Sequence, residues 1–185
     1  MPISTVNQKG LDAPLTLTSP VLTTPNLGTP SAINLSNATA LPKAALPAGT
    51  VLQVVSGTGF GGVTIGGTAA SVLSASITPT STSSKILIST GTVAHRDGGG
   101  NIGWYWSAGI YRTNISTVLF SIGDAILYQS VGDGQRVFCG GEYLDSPATT
   151  SSVTYGIRAE RMSGSGTATF NQGGTGYITL MEVAG

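Results

Sequence analysis

"NIGWYWSAGIYR", residues 101–112, decides the fold of this chain. Ile102, Trp104, Trp106, Ala108 and Ile110 fall on alternate positions, and successive side chains of a strand point to opposite faces. The spacing therefore predicts a half-buried β-strand, with both tryptophans turned into a core. Tyr105 and Tyr111 fall on the other face, where tyrosine suits an interface or a ligand surface.

Working outward, short segments of the same kind follow one another with turn residues between them. They are 49–57, 61–67, 71–79, 84–95, 116–129, 135–144, 151–162, 166–171 and 176–183, separated by stretches such as "HRDGGGN", "VGDGQ" and "SGSG". No window carries a helical period bounded by caps. Strands at this spacing in one domain predict an all-β fold, a jelly-roll-like β-sandwich over residues 48–185.

Residues 1–47 have another character. Seven of the nine prolines lie there, and the first aromatic residue is Phe60. In "LTSP", "VLTTP" and "NLGTP" a leucine stands three residues before each proline (Leu17, Leu22, Leu27), and Leu35 continues the apolar series. Proline fixes φ and pushes the preceding residue to an extended conformation, but it cannot serve inside a sheet because it lacks a ladder donor. The segment is thus expected to be an extended Pro/Thr/Leu-rich arm. A plain linker seldom needs spaced leucines. At ~3.3–3.6 Å per residue such an arm reaches on the order of 150 Å, and Leu17, Leu22, Leu27 and Leu35 are its candidate anchoring and trimer contacts.

Eight basic and eight acidic residues give zero formal charge, and only 9% of the chain is charged. A nucleic-acid binder needs a basic face to neutralise phosphates, and a surface-bound membrane protein needs a polybasic segment, so neither partner is expected. No uncharged stretch is free enough of Gly, Pro and Ser to insert in a membrane. With a single cysteine, Cys139, no intrachain disulfide can form, which fits assembly in a reducing cytoplasm.

Chemistry-bearing patterns are sparse. "GTGFGG" (57–62) satisfies the glycine spacing of a dinucleotide loop, but "VTIGGTAAS" after it is not a helix, so a turn is expected. His95, the only histidine, sits in "AHRDGGGN" and reads as an exposed loop residue beside Arg96; both are candidate surface contacts. No serine elbow accompanies it, and one His with one Cys makes a zinc site improbable. Asp97, Asp133 and Asp145 read as turn residues that cap their own backbone. Glu142, Glu160 and Glu182 fall in strands; with Asp124 they are the carboxylates from which a glycosidase pair would have to come. Arg158 and Glu160 share a strand face as a surface ion pair, and Arg161 points the other way. No enzyme activity and no cofactor are expected.

"LTSPVLTTPNLGTPSAINLSNATALP" (17–42) resembles the repetitive segment that precedes the terminal domain in tailed-bacteriophage fibre and virion structural proteins. "ITPTSTSSKILI" (77–88) and "ATFNQGGTGYITLMEVAG" (168–185) look like the first and last parts of a β domain in those proteins. The resemblance implies a homotrimeric virion component: an N-terminal arm docked to capsid or tail, and a C-terminal sandwich displayed outward. Without a heptad region or shaft, a short head fibre, capsid decoration protein or tail appendage fits better than a long fibre. A host surface glycan is the implied further partner. The alternative is a carbohydrate-binding module that the arm merely tethers.

Overall fold

The computed structural model describes residues 46–58, 60–96, 102–113, 118–129, 136–163, 167–174 and 176–185; for Arg96, 102–105 and 123–129 it describes the backbone alone. The expectations for the arm, its leucines included, and for Asp97 and Asp133 lie outside these residues. Ten strands are present among them: β1 (Val51–Thr58), β2 (Val63–Ile65), β3 (Ala70–Ile77), β4 (Lys85–Arg96), β5 (Ile102–Arg112), β6 (Val118–Gln129), β7 (Arg136–Asp145), β8 (Val153–Ser163), β9 (Ala168–Phe170) and β10 (Tyr177–Val183). Each matches one of the segments picked out by alternation and turn chemistry, to within one to three residues at most ends.

The strands form two antiparallel sheets. One runs β1-β10-β4-β7, with β9 and β2 continuing it beyond β10; the other runs β3-β8-β5-β6. The chain crosses from one sheet to the other at six of its nine connections between described strands, staying within a sheet only at β1–β2, β5–β6 and β9–β10, and the fold is a jelly-roll-like sandwich. β4 organises the first sheet. One of its edges takes β7 over Ile86–His95; the other takes β10 over Lys85–Gly91 and then β9 over Ala94–Arg96.

The core fills the space between the inner faces. Ile86 and Ile88 of β4, Ile178 and Leu180 of β10, and Ile110, Tyr155 and Ile157 from the opposite sheet are buried to within 0% of their surface. Trp106 is buried as expected, with its ring edge-on to Phe170 at 5.9 Å between centroids. This geometry favours aromatic pairs beyond the area they bury. "GTGFGG" leads from β1 into the strand β2, so no helix follows the glycines.

Polar nodes lock the two layers together. Asn171, in the left-handed region at φ 57°, breaks the edge between β9 and β10. Asparagine tolerates that conformation better than most residues. Its side chain accepts a hydrogen bond from Thr92 Oγ1 of β4 and donates to Val72 O of β3 at 2.8 Å, so one buried amide joins both sheets. Asp145, expected to cap a turn, is instead buried at the end of β7. It accepts from Arg112 Nη1 at 2.6 Å and from the Tyr155 hydroxyl at 2.7 Å. The reason is topological: β7 ends where β5 and β8 of the other sheet pass, and their cationic and phenolic groups demand a buried acceptor.

Candidate interaction surfaces

Among the described side chains the carboxylates of a two-acid enzyme do not meet; the side chain of Asp124 lies outside them, and its backbone is in register with Ser107, as is that of Glu160. Glu182 points inward and is fully buried, Glu142 lies on the outer face of the first sheet, and Glu160 lies on the outer face of the second. Glu182 is a structural group: Gln53 Nε2, Thr80 N, Thr80 Oγ1 and Ser84 Oγ all donate to it at 2.6–2.7 Å. Burial pushes its carboxyl up, but the donors outweigh burial and hold it below its ordinary value. Burial raises the Cys139 thiol. Among the described residues no three His, Cys, Asp or Glu side chains cluster as metal ligands would.

His95 is a correction to the sequence expectation. It belongs to β4, in register with Arg136 on one side and Thr169 on the other, and it is half-buried rather than looped out. It closes the 84–95 segment, the strand reaching one residue further to Arg96, and both β7 and β9 pair with its end. Arg96 ends the strand opposite Ala168. Tyr105 lies in register with Ile126 and Ser163. Tyr111 takes the outer face, and its hydroxyl shares a hydrogen bond with Ser71 Oγ at 2.7 Å. The four candidate contacts thus divide between the sheets: His95 and Arg96 on the first, Tyr105 and Tyr111 on the second.

The two outer faces differ in chemistry. That of β3-β8-β5-β6 is hydroxyl-rich: Ser71 meets Tyr111, and Ser76 meets Thr154 at 2.7 Å. A shallow pocket of about 160 Å³ opens there between Ser107, Gly109, Val118, Arg158 and Glu160. Arg158 and Glu160 face it together, with no ion pair joining them among the described residues, where one was expected.

The outer face of β1-β10-β4-β7 carries apolar rows on either side of a polar one, in which Ser56, Thr179, Ser89 and Glu142 stand in register and Ser89 Oγ donates to Glu142 at 3.1 Å. Val54, Met181, Leu87 and Leu144 stand side by side across all four strands, and Val51 faces Val183 one step beyond. Towards the other end Tyr177, Gly91 and Gly140 share a row. The rings of Phe138 and Tyr177 lie over Gly91, where an added Cβ would come within 2.5 Å and 2.8 Å of them. Phe138 is 62% exposed, Val54 56% and Leu144 49%. Only cross-strand register assembles these scattered residues into rows.

No family model matches the chain, and no curated protein matches it in sequence. Among solved structures it is similar in fold to VP2 of infectious bursal disease virus. The VP2 subviral particle matches at 10% identity and TM-score 0.41, over 87% of this chain and 40% of that one. A point mutant of VP2 in T=1 particles matches at 10% and TM-score 0.44, over 87% and 39%. The Gt strain of the virus matches at 11% and TM-score 0.41, over 97% and 49%. These neighbours are viral capsid proteins at low identity, and the chain spans less than half the length of each.

Proposed function

We propose that the chain is a non-enzymatic structural protein of a tailed-phage virion, assembled in the host cytoplasm: a short homotrimeric head fibre, capsid decoration protein or tail appendage. Residues 1–47 act as the anchoring and trimerisation arm, and residues 48–185 as the displayed head. The observation that carries this is the joining of a closed jelly roll, begun at Val51, to a stretch with no charge from Thr16 to Leu35 and leucines spaced ahead of prolines. Ordering such a segment costs about 1–2 kcal/mol per residue in backbone entropy, so neighbouring chains must supply contacts along its length. Replacing Leu17, Leu22 and Leu27 together by Ser is expected to abolish incorporation into virions while leaving the head folded. Virions that retain the variant at wild-type copy number would remove the anchoring role from these leucines.

A second function is favoured by the pocket on the hydroxyl-rich face. Ser107, Arg158 and Glu160 offer sugar hydroxyls both donors and acceptors, in a concavity of about 160 Å³ that suits a single ring. As a carbohydrate-binding module the head would lose glycan binding about tenfold or more on Arg158→Ala, the size of a lost hydrogen bond to a charged group. Glycan-array signal equal for both proteins would leave the pocket without that role.

A further inference from the structure

Glu142, Gly140, Phe138 and Arg136 occupy alternate positions of β7, so they share the outer face in a line of ~20 Å, at ~3.4 Å per residue. At one end Glu142 accepts from Ser89 Oγ at 3.1 Å. At the other, Arg136 is exposed, in register with His95, and in no ion pair among the described residues. Between these polar ends lie two rings, Phe138 at 62% exposure and Tyr177 at 38%. Cε1, Cζ and Cε2 of Phe138 come within 2.5–2.8 Å of where side chains at Gly91 and Gly140 would begin, and Tyr177 Cε1 lies 2.8 Å from the first of these points. The rings can lie down on the sheet only because both positions are glycine, and a ring that lies down keeps its other face for solvent. Glycine within a strand marks a bulge, a bend or a close approach by another molecule. β4 and β7 pair here without any shift of register, which leaves the close approach. We infer that this line is a binding track for an acidic oligosaccharide: sugar rings stack on Phe138 and Tyr177, Arg136 holds a carboxylate, and Glu142 accepts from sugar hydroxyls. The inference rests on the reading of the head as a glycan binder and gives that reading a track on the face opposite the pocket.

The chemistry of each position selects this ligand. The face of an aromatic ring is electronegative. The C–H groups on the face of a pyranose, polarised by its oxygens, complement it, while the hydroxyls on the sugar's rim reach polar groups to either side. An apolar partner laid on the rings would leave the Glu142 carboxylate to be buried without further donors, which is costly. The Arg136 guanidinium is a planar fork that takes a carboxylate with two parallel hydrogen bonds. The Glu142 carboxylate only accepts, so the sugar beside it is a neutral one that donates. The ligand thereby acquires a direction, with its acid at the Arg136 end and neutral hydroxyls at the Glu142 end. A flat track of this length suits a chain of sugars, where the pocket of the other face suits a single ring.

The test compares the full chain with Phe138→Ala, Arg136→Gln and Arg158→Ala on an array that holds neutral oligosaccharides beside chains carrying uronic or sialic acids. Far-UV circular dichroism is the folding control, and Tyr177→Ala replaces Phe138→Ala should that variant fail to fold. The expected result is wild-type binding strongest to the acid-bearing chains and a loss of about tenfold or more on Phe138→Ala, as for an aromatic anchor. Arg136→Gln is expected to lose about tenfold on the acid-bearing chains alone, the size of a lost charge-assisted hydrogen bond. A folded Phe138→Ala that binds like the wild type overturns the track; if Arg158→Ala alone then loses binding, the glycan-binding head stands with the pocket as its site. An Arg136→Gln variant that keeps the wild-type preference for acid-bearing chains overturns the acidic ligand. A wild type that binds nothing on the array overturns both the track and the glycan-binding reading.

Discussion

Replacing Asp145 by Ala is expected to destabilise the protein by about 3–5 kcal/mol, the range found when one partner of a buried charge cluster is removed. The carboxylate is the shared acceptor of Arg112, at 2.6 Å, and of the Tyr155 hydroxyl, at 2.7 Å. Removing it leaves a largely covered guanidinium and a fully buried phenol with no acceptor at this point. The Tyr155 phenol is held above its ordinary value, first by burial and then by Asp145, so it stays a neutral donor throughout the physiological range. Because Asp145 ends β7 in one sheet while Arg112 and Tyr155 belong to the other, the loss also loosens the layers. For a domain of this size the change corresponds to a melting point lower by roughly 6–20 °C. Tyr155→Phe, which removes one donor and keeps the ring, is expected to cost only about 1 kcal/mol. Thermal melts of the two variants check the ordering; an Asp145→Ala melt within 2 °C of wild type, well inside the spread expected of surface substitutions, contradicts it.

Glu182→Gln is expected to lower stability by about 1–3 kcal/mol at neutral pH, because the amide turns a donor toward donors. Its pH dependence is the sharper test. The folded-state carboxyl is held below its ordinary value of 4.5, since the hydrogen bonds from Thr80, Ser84 and Gln53 outweigh burial. A depressed carboxylate contributes stability that is fully present above the unfolded value and lost as pH falls through the folded one. The gap between wild type and Glu182→Gln should therefore be widest above about pH 5 and narrow as acid takes the solution below 4.5. Denaturant midpoints of the two proteins at pH 7 and pH 3.5 measure it. A gap that stays constant with pH would show that the cage does not depend on the ionised form.

Much of the fold was legible because strand order is written in local chemistry. Period-two alternation placed Trp106, Ala108 and Ile110 inward, and glycine- and proline-bearing stretches marked ends of described strands. What could not be read is what depends on which strands become neighbours. Asp145 looks like a turn residue from "LDSP" alone; only the passage of β5 and β8 beside the end of β7 makes it a buried acceptor. His95, the last residue of the 84–95 segment, looks exposed beside "RDGGGN" until β7 and β9 are seen to pair with it from both sides. Glu182 stands in an apolar strand with its donors 98 to 129 positions away, at Ser84, Thr80 and Gln53. The apolar row on the outer face is the same case: Val54, Met181, Leu87 and Leu144 are single residues in four segments until register aligns them. The arm's leucines, by contrast, stand out in sequence because proline makes their spacing regular.

The pairing of the first strand with the last has a consequence for synthesis. Gln53 and Glu182 are 129 positions apart and bonded side by side. At ~5–20 residues per second a ribosome takes roughly 6–26 s to travel from one to the other. Throughout that interval β1 has emerged without the strand that will cover its edge, so the jelly roll closes only after β10 is made. So many distant pairings also place it among the slower folders, on the millisecond-to-second scale. Completion of the head is a late event in the life of the chain, and whatever shields its unpaired strands must act while translation is under way.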